Sequence, residues 1–324
     1  MKIAVYAPNW IGDATLSLPF IHELNSLNSK SEITIVCKDW VAPVYQNNPN
    51  IDKIICFSSK DLKGIISTIV NGLSLREPQF DYFYTLTDSF RSSLIMWLSK
   101  AKNRIGYNSQ FRSSLLTTSI DLPLLGTHRA KKYLNLLGRL SDTEYDKNYV
   151  FLHKDEFNWA RKKLTDYNIK DFIAIFPFSV SQSRTFPKNK IKEWISKSTK
   201  QFVIFGTKDD QKEALKIINM NSEITIHSFC GDLSLRKSIA LISFADLVLA
   251  ADSGLGHISS IMNIPTVSFF GANRSKITKP IGLKNIVIDK SSKCSPCRSD
   301  ICCLNAITKN DVNTAIRTLQ NNNS

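Results

Sequence analysis

The run Asn9-Trp10-Ile11-Gly12-Asp13 ends in an acidic side chain directly after the first apolar stretch of the chain. A carboxylate at a strand-to-helix turn sits at the edge where αβ proteins bind ligands, and there it can act as a general base. A plainer role fits the same position, because Asp13 can cap a helix by accepting its orphan amide hydrogens. The two roles are compatible, since the amino end of a helix favours negative charge.

A second cluster, Asp252-Ser253-Gly254-Leu255-Gly256-His257, follows the apolar run Asp246 to Ala250. Glycines at such a turn leave amide groups and a positive dipole end free for a phosphate. Ser253 can donate to a phosphate oxygen, Asp252 can orient the loop or bind a ribose, and His257 can reach a pyrophosphate or rest satisfied within its helix.

Between Pro177 and Pro187, Ser179, Ser181, Ser183, Arg184 and Thr185 put four hydroxyls and a guanidinium into one loop. Arginine clamps phosphate with two parallel bonds, so this loop reads either as an anion site or as a solvated serine-rich turn. Gly206, Gly231 and Gly271 each end or follow a strand and can let the backbone approach a nucleoside.

In the first half, Asp88-Ser89-Phe90-Arg91-Ser92, then Arg104-Ile105-Gly106-Tyr107, Arg112 and His128-Arg129, line up after successive strands. Basic residues at strand exits suit an anionic acceptor; scattered surface arginines are the alternative. Cys294, Cys297, Cys302 and Cys303 form C-x-x-C-x4-C-C, open to zinc, a disulfide or a reduced loop. Cys37, Cys56 and Cys230 lie in apolar contexts and read as core thiols.

These residues need a scaffold, and the periodicity supplies one. Strands are expected at Lys2–Ala7, Glu32–Cys37, Lys53–Phe57 and Tyr82–Leu86, separated by helices at Asp13–Leu27, Val41–Gln46 and Lys60–Leu75. A second series, opened by a helix at Lys154–Tyr167, has strands at Phe172–Phe176, Gln201–Phe205, Ile224–Ser228, Leu247–Ala250 and Thr266–Phe269. Its helices are Lys190–Lys200, Asp209–Ile218, Ser234–Phe244 and Gly256–Met262, with a last one at Lys309–Gln320. The 324 residues therefore read as two doubly wound α/β domains, 1–150 and 151–324, meeting near Ser141 to Lys154.

Two Rossmann-like domains facing across a cleft suit either a GT-B glycosyltransferase or a dinucleotide dehydrogenase. A dehydrogenase requires G-x-G-x-x-G after its first strand. Only Gly12 stands there, and Gly254-Leu255-Gly256-His257-Ile258-Ser259 lacks the third glycine.

A net charge of +14 points to an anionic partner, with an excess of four positive charges before residue 151 and ten after it. No basic block, zinc finger or aromatic RNA motif accompanies that charge, which argues against nucleic acid. No apolar run reaches 18 residues, so the expectation is a cytoplasmic protein.

The pieces, in order, resemble glycosyltransferase family 9, the bacterial heptosyltransferases, and most closely heptosyltransferase II. The resemblance rests on Asn9 to Asp13, Asp88 to Ser92, Arg104 to Tyr107, Asp252 to His257, Phe270-Gly271 and the segment from Cys294 to Val312. Where that family has lysine before an Arg/His-Trp-Pro, this chain has Arg184-Thr185-Phe186-Pro187; Ala251 and Asp88 each stand in place of asparagine.

The resemblance implies a GT-B fold and an inverting mechanism with Asp13 as base. It implies donor contacts from Ser179, Ser181, Ser183, Arg184, Gly206, Gly231, Asp252, Ser253, Gly254, His257 and Gly271. Acceptor contacts are implied for Asn9, Trp10, Gly12, Ser89, Arg91, Arg104, Arg112 and His128. ADP-heptose is the implied donor, with no required cofactor or metal. The implied acceptor is the anionic lipopolysaccharide inner core, met peripherally at the inner membrane face. A transferase or epimerase using another nucleotide sugar is the rival enzyme, and a basic nucleic-acid-binding protein the rival of another class.

Overall fold

The structure is a computed structural model and describes residues 1–58, 64–139, 145–291 and 303–321. The chain divides into two compact units, Met1–Glu144 with Tyr149–Phe151, and Tyr145–Asn148 with Leu152–Ser324.

The first unit runs β1 (Lys2–Tyr6), α1 (Ile11–Leu16), α2 (Leu18–Leu27), β2 (Glu32–Lys38), α3 (Ala42–Tyr45), β3 (Lys53–Phe57), α4 (Gly64–Ser74), β4 (Tyr82–Thr85), α5 (Phe90–Leu98), β5 (Asn103–Tyr107), β6 (Thr118–Ile120) and α6 (Arg129–Asn135). Its six parallel strands lie in the order β3-β2-β1-β4-β5-β6. The second unit runs α7 (Lys154–Asp166), β7 (Phe172–Phe176), α8 (Lys188–Ile195), β8 (Gln201–Ile204), α9 (Gln211–Asn219), β9 (Ile226–Ser228), α10 (Leu235–Ile242), β10 (Leu247–Ala251), α11 (Gly254–Ile261), β11 (Thr266–Phe270), α12 (Ser275–Thr278), β12 (Asn285–Asp289) and α13 (Lys309–Asn321). Its strand order, β12-β11-β10-β7-β8-β9, is the first order read from the other edge.

Each sheet is thus doubly wound with a reversal at its centre, between β1 and β4 and between β10 and β7. The central strands are apolar on both faces because helices cover both: Val5 pairs with Ile35 and Tyr84, and Leu249 with Val267 and Ile175. Each such buried aliphatic contributes about 1.5–3 kcal/mol, which holds the central strands and the turns at their ends in register.

Several expectations needed correction. The single helix at Asp13–Leu27 is two helices that break at Ser17. Pro19, with no amide hydrogen, lies in the first turn of α2, and the buried Ser17 hydroxyl bonds the Ala14 carbonyl at 2.7 Å and Tyr45 Oη at 2.8 Å. Helix α1 begins at Ile11 with Trp10 as its cap, so Asp13 lies inside the first turn and is not the capping residue.

Strands β5, β6 and β12 carry too many polar residues to register as apolar runs; β6 is only Thr-Ser-Ile. Cys37 and Cys230 are buried, but Cys56 on the outermost strand is exposed. Cys294, Cys297 and Cys302 lie outside the described residues; Cys303 is half-buried at the start of a short 3-10 turn.

Candidate active site

In a doubly wound sheet, the connections on either side of the reversal leave in opposite directions and open a crevice at the carboxyl ends of the strands. In the first unit, the turns that border this point follow β1 and β4, and they carry Asp13 and Asp88.

Asp13 faces α6, where the Arg129 Nε stands 3.7 Å from its Oδ1. Burial works against the Arg129 charge, but Asp13, Tyr133 and Asp88 together outweigh it and hold the guanidinium more firmly protonated. Tyr133, one turn further along α6, is fully buried, and burial together with Asp13 pushes its hydroxyl well up. Asp88 pairs with Lys132 at 2.5 Å, also from α6. One short helix thus presents cations to both carboxylates.

The acceptor-binding expectations divide. Trp10 is 63% exposed, and the Asn9 carbonyl accepts a bond from Trp40 Nε1 at 3.0 Å. Gly12 is the second residue of α1, and Arg91 lies exposed in the first turn of α5. Ser89 and His128 are helix caps: Ser89 Oγ accepts from the Ser92 amide, and His128 Nδ1 from the Ala130 amide, each at 3.3 Å.

Two arginines do not stand at open strand exits. Arg112 is fully enclosed: Nε donates to the Tyr107 carbonyl at 2.9 Å, and Nη1 donates to those of Thr87 and Ser89 at 2.6 and 3.2 Å. It holds the turn after β4 in place, and its Nη2, 3.9 Å from Asp88 Oδ1, has no hydrogen-bond partner among the described residues. Arg104 is the second residue of β5, so it stands at the amino edge of the sheet, donating to the Leu115 and Ala101 carbonyls. The strand-exit reading had its edge reversed, because β5 was not recognised as a strand.

In the second unit the crevice lies beside β7 and β10, and both anion-binding motifs converge there. Arg184 Nη1 reaches Asp252 Oδ2 at 3.3 Å, and Ser179 Oγ donates to the Asp252 carbonyl at 3.2 Å, tying the loop after β7 to the turn after β10. Ser181 and Ser183 share a hydroxyl–hydroxyl bond of 2.8 Å. Asn273, which the sequence reading missed, donates to the same Asp252 oxygen from the loop after β11; its only signal was its place two residues past Gly271.

Burial alone would raise the Asp252 carboxyl, yet His257, Arg184 and Asn273 together hold it below the usual aspartate range. His257 Nε2 faces Asp252 Oδ1 at 3.8 Å, which leaves Nδ1 for a ligand.

Helix α11 begins earlier than expected, at Gly254, and Ser253 is its extended cap residue without a side-chain capping bond. Both Ser253 Oγ and His257 Nδ1 are buried with no hydrogen-bond partner among the described residues. A buried polar group left unsatisfied costs about 1–3 kcal/mol, and two of them at a helix amino terminus form a candidate socket with the chemistry to accept an oxygen-rich anion.

Packing or backbone conformation disfavours a side chain at several of the glycines. A Cβ at Gly256 would lie 2.7 Å from Ala250 Cβ, and one at Gly206 would lie 2.9 Å from Cys230 Sγ. Gly231 adopts φ +79° against Lys208, and a Cβ at Gly271 would press on Leu304 at 3.3 Å.

The model described as glycosyltransferase family 9 (heptosyltransferase) matches residues 72–308. Lipooligosaccharide heptosyltransferase 2 of Haemophilus ducreyi is 24% identical over 312 residues, covering 89% of this chain and 88% of that one. Lipopolysaccharide heptosyltransferase 2 of Escherichia coli is 24% identical over 311 residues with the same coverage.

Among solved structures, ADP-heptose LPS heptosyltransferase II of Escherichia coli superposes with a TM-score of 0.82 at 20% identity, over 98% of each chain. The glycosyltransferase of family 9 from Veillonella parvula superposes at 0.84 and 21% identity, over 98% of this chain and 96% of that one. The α/β GT-B fold is shared with these enzymes. A carboxylate beside an arginine at one reversal, an anion socket at the other and a family match across most of the chain agree: the protein is a glycosyltransferase and belongs to family 9, the heptosyltransferases.

Proposed function

We propose that the protein transfers heptose from ADP-L-glycero-D-manno-heptose, with inversion, to the lipopolysaccharide inner core, as a heptosyltransferase II. The observation that carries this reading is the socket of the second unit, where Ser253 Oγ, His257 Nδ1 and the first amides of α11 stand beside Arg184. The socket suits a diphosphate, and the relatives named above are heptosyltransferases 2 over nearly the whole chain.

In the step proposed, Asp13 takes the proton of an acceptor hydroxyl as that oxygen attacks the anomeric carbon of the donor. The carbon–oxygen bond to the diphosphate breaks, and ADP leaves from the opposite face. Negative charge grows on the diphosphate, and donors already oriented toward it stabilise that charge without reorganising. The first unit binds the acceptor and the second the nucleotide.

The acceptor is lipid-anchored and anionic, and the net charge of +14 suits it. The protein works in the cytoplasm, peripherally at the inner membrane face. No helix among the described residues is long and apolar enough to cross a membrane.

The test is purified enzyme with ADP-heptose and a heptose-deficient inner-core acceptor. The expected result is one added heptose by mass spectrometry, with inverted anomeric configuration by NMR. Equal turnover of a UDP- or GDP-sugar overturns the donor assignment, and a salt-sensitive DNA complex without transfer favours the nucleic-acid reading.

A further inference from the structure

Helix α4 is built inside out. Its buried residues are Thr68, Asn71 and Gly72, whereas Ile65, Ile66, Ile69, Val70 and Leu73 form an exposed stripe at helical spacing. Ile66 is 75% exposed, Ile65 69% and Val70 57%. An ordinary crossover helix turns its apolar stripe to the sheet.

The inverted pattern is not forced by the packing partner. Gly72 meets α5 so closely that a Cβ there would lie 2.5 Å from Leu98 Cβ, so this seam requires a small residue at that point. That requirement explains the inner face alone; polar residues on the outer face would satisfy it equally well. A contiguous exposed apolar face marks a binding surface.

Its surroundings identify the occupant. Where α4 and α5 end, Arg76, Lys100, Lys102 and Arg104 gather around Trp97, which is itself 48% exposed, in a basin of about 340 Å³. Lys102 is paired with Asp81 and Arg104 is bound to carbonyls, which leaves Lys100 and the outer part of the Arg76 guanidinium toward solvent. An apolar helix face with cations and an exposed indole past its carboxyl end matches a bilayer surface with anionic headgroups.

Resting on the reading of a membrane-anchored acceptor, we propose that the exposed face of α4, with Arg76 and Lys100 past its carboxyl end, docks the enzyme on an anionic lipid bilayer. The isoleucines enter the acyl boundary, and Arg76 and Lys100 meet the headgroup phosphates.

The experiment is vesicle flotation of the full chain on phosphatidylglycerol–phosphatidylethanolamine and on pure phosphatidylcholine, beside transfer to a delipidated, water-soluble acceptor. Wild type is expected to float with the anionic vesicles only. The Ile66→Ser/Val70→Ser variant, and separately Lys100→Glu, lose at least about tenfold in partitioning while turnover of the soluble acceptor stays unchanged.

Wild type that turns over the soluble acceptor but ignores anionic vesicles overturns the docking proposal and leaves the catalytic reading standing. Wild type that floats but transfers nothing does the reverse. A wild-type dimer in sedimentation that Ile66→Ser/Val70→Ser converts to monomer, with vesicle binding untouched, assigns the stripe to a second copy and overturns the proposal.

Discussion

Arg129 and Asp13 face each other at 3.7 Å, a guanidinium from α6 against a carboxylate from α1. That spacing is longer than a charge-assisted hydrogen bond, so the arginine orients the carboxylate by its field without occupying its lone pairs. Arg129 is accordingly a positioning residue. Arg129→Gln is expected to lower kcat roughly tenfold to a hundredfold, the scale of a misplaced reacting group, while KM for both substrates changes little. Arg129→Lys restores part of kcat, and a loss confined to KM would sink this assignment.

Asp13→Asn keeps the shape of the side chain and removes its basicity. If Asp13 takes the proton, kcat falls about 10²- to 10⁴-fold, and ADP binding by calorimetry is unchanged because the nucleotide socket belongs to the other unit. Turnover near wild type would remove Asp13 from the chemistry.

Arg184 and His257 supply charge and a buried nitrogen to the socket after β7 and β10. Hydrogen bonds to charged groups are worth about 1.5–3 kcal/mol, so Arg184→Ala should weaken ADP binding at least about tenfold. His257→Ala should do the same, and the double variant should lose less than the sum because both side chains also hold Asp252. Unchanged dissociation constants in both single variants would move the nucleotide elsewhere.

The parts of this architecture visible from sequence are those written as continuous apolar runs. β1, β4, β7 and β10 are central and buried, so their strands announce themselves, and the turns that follow them contain Asp13, Asp88, Arg184 and Asp252. What stayed hidden depends on tertiary partners. Arg112 reads as a surface cation until three carbonyls, on Tyr107, Thr87 and Ser89, close around it. Arg104 was read at the wrong edge because β5, Asn-Arg-Ile-Gly-Tyr, has no apolar run to betray a strand. Helix α4 was legible as a helix, but composition could not tell which of its faces met the sheet.

The Asp252 network also sets a pH dependence. Its folded-state carboxyl titrates below the ordinary aspartate value, so it contributes stability that is fully present above that value and lost as pH falls through the lower folded one. The second unit is therefore expected to weaken below about pH 4, followed by fluorescence of Trp194, which stacks on Phe269 of β11. In Asp252→Asn the slope in that window flattens. An identical acid profile in the variant would mean that other carboxylates govern acid unfolding.

Gly256 offers a test of whether helix packing sets the socket. A methyl group at this position would sit 2.7 Å from Ala250 Cβ and 3.3 Å from the Ala251 carbonyl, so α11 must move off β10 to admit it. Ser253, Gly254 and His257 ride with the helix, whereas Arg184 stays with the loop after β7. Gly256→Ala should therefore destabilise the protein by about 1–3 kcal/mol, the usual range for an overpacked core, and weaken ADP binding in the same variant. Because the closest offending atom is one methyl, Ala250→Gly placed in the Gly256→Ala background should recover much of the lost affinity. If binding stays impaired in that double variant, the defect is not steric displacement of α11. If Gly256→Ala binds ADP like wild type, the separation between helix and strand does not control the anion site.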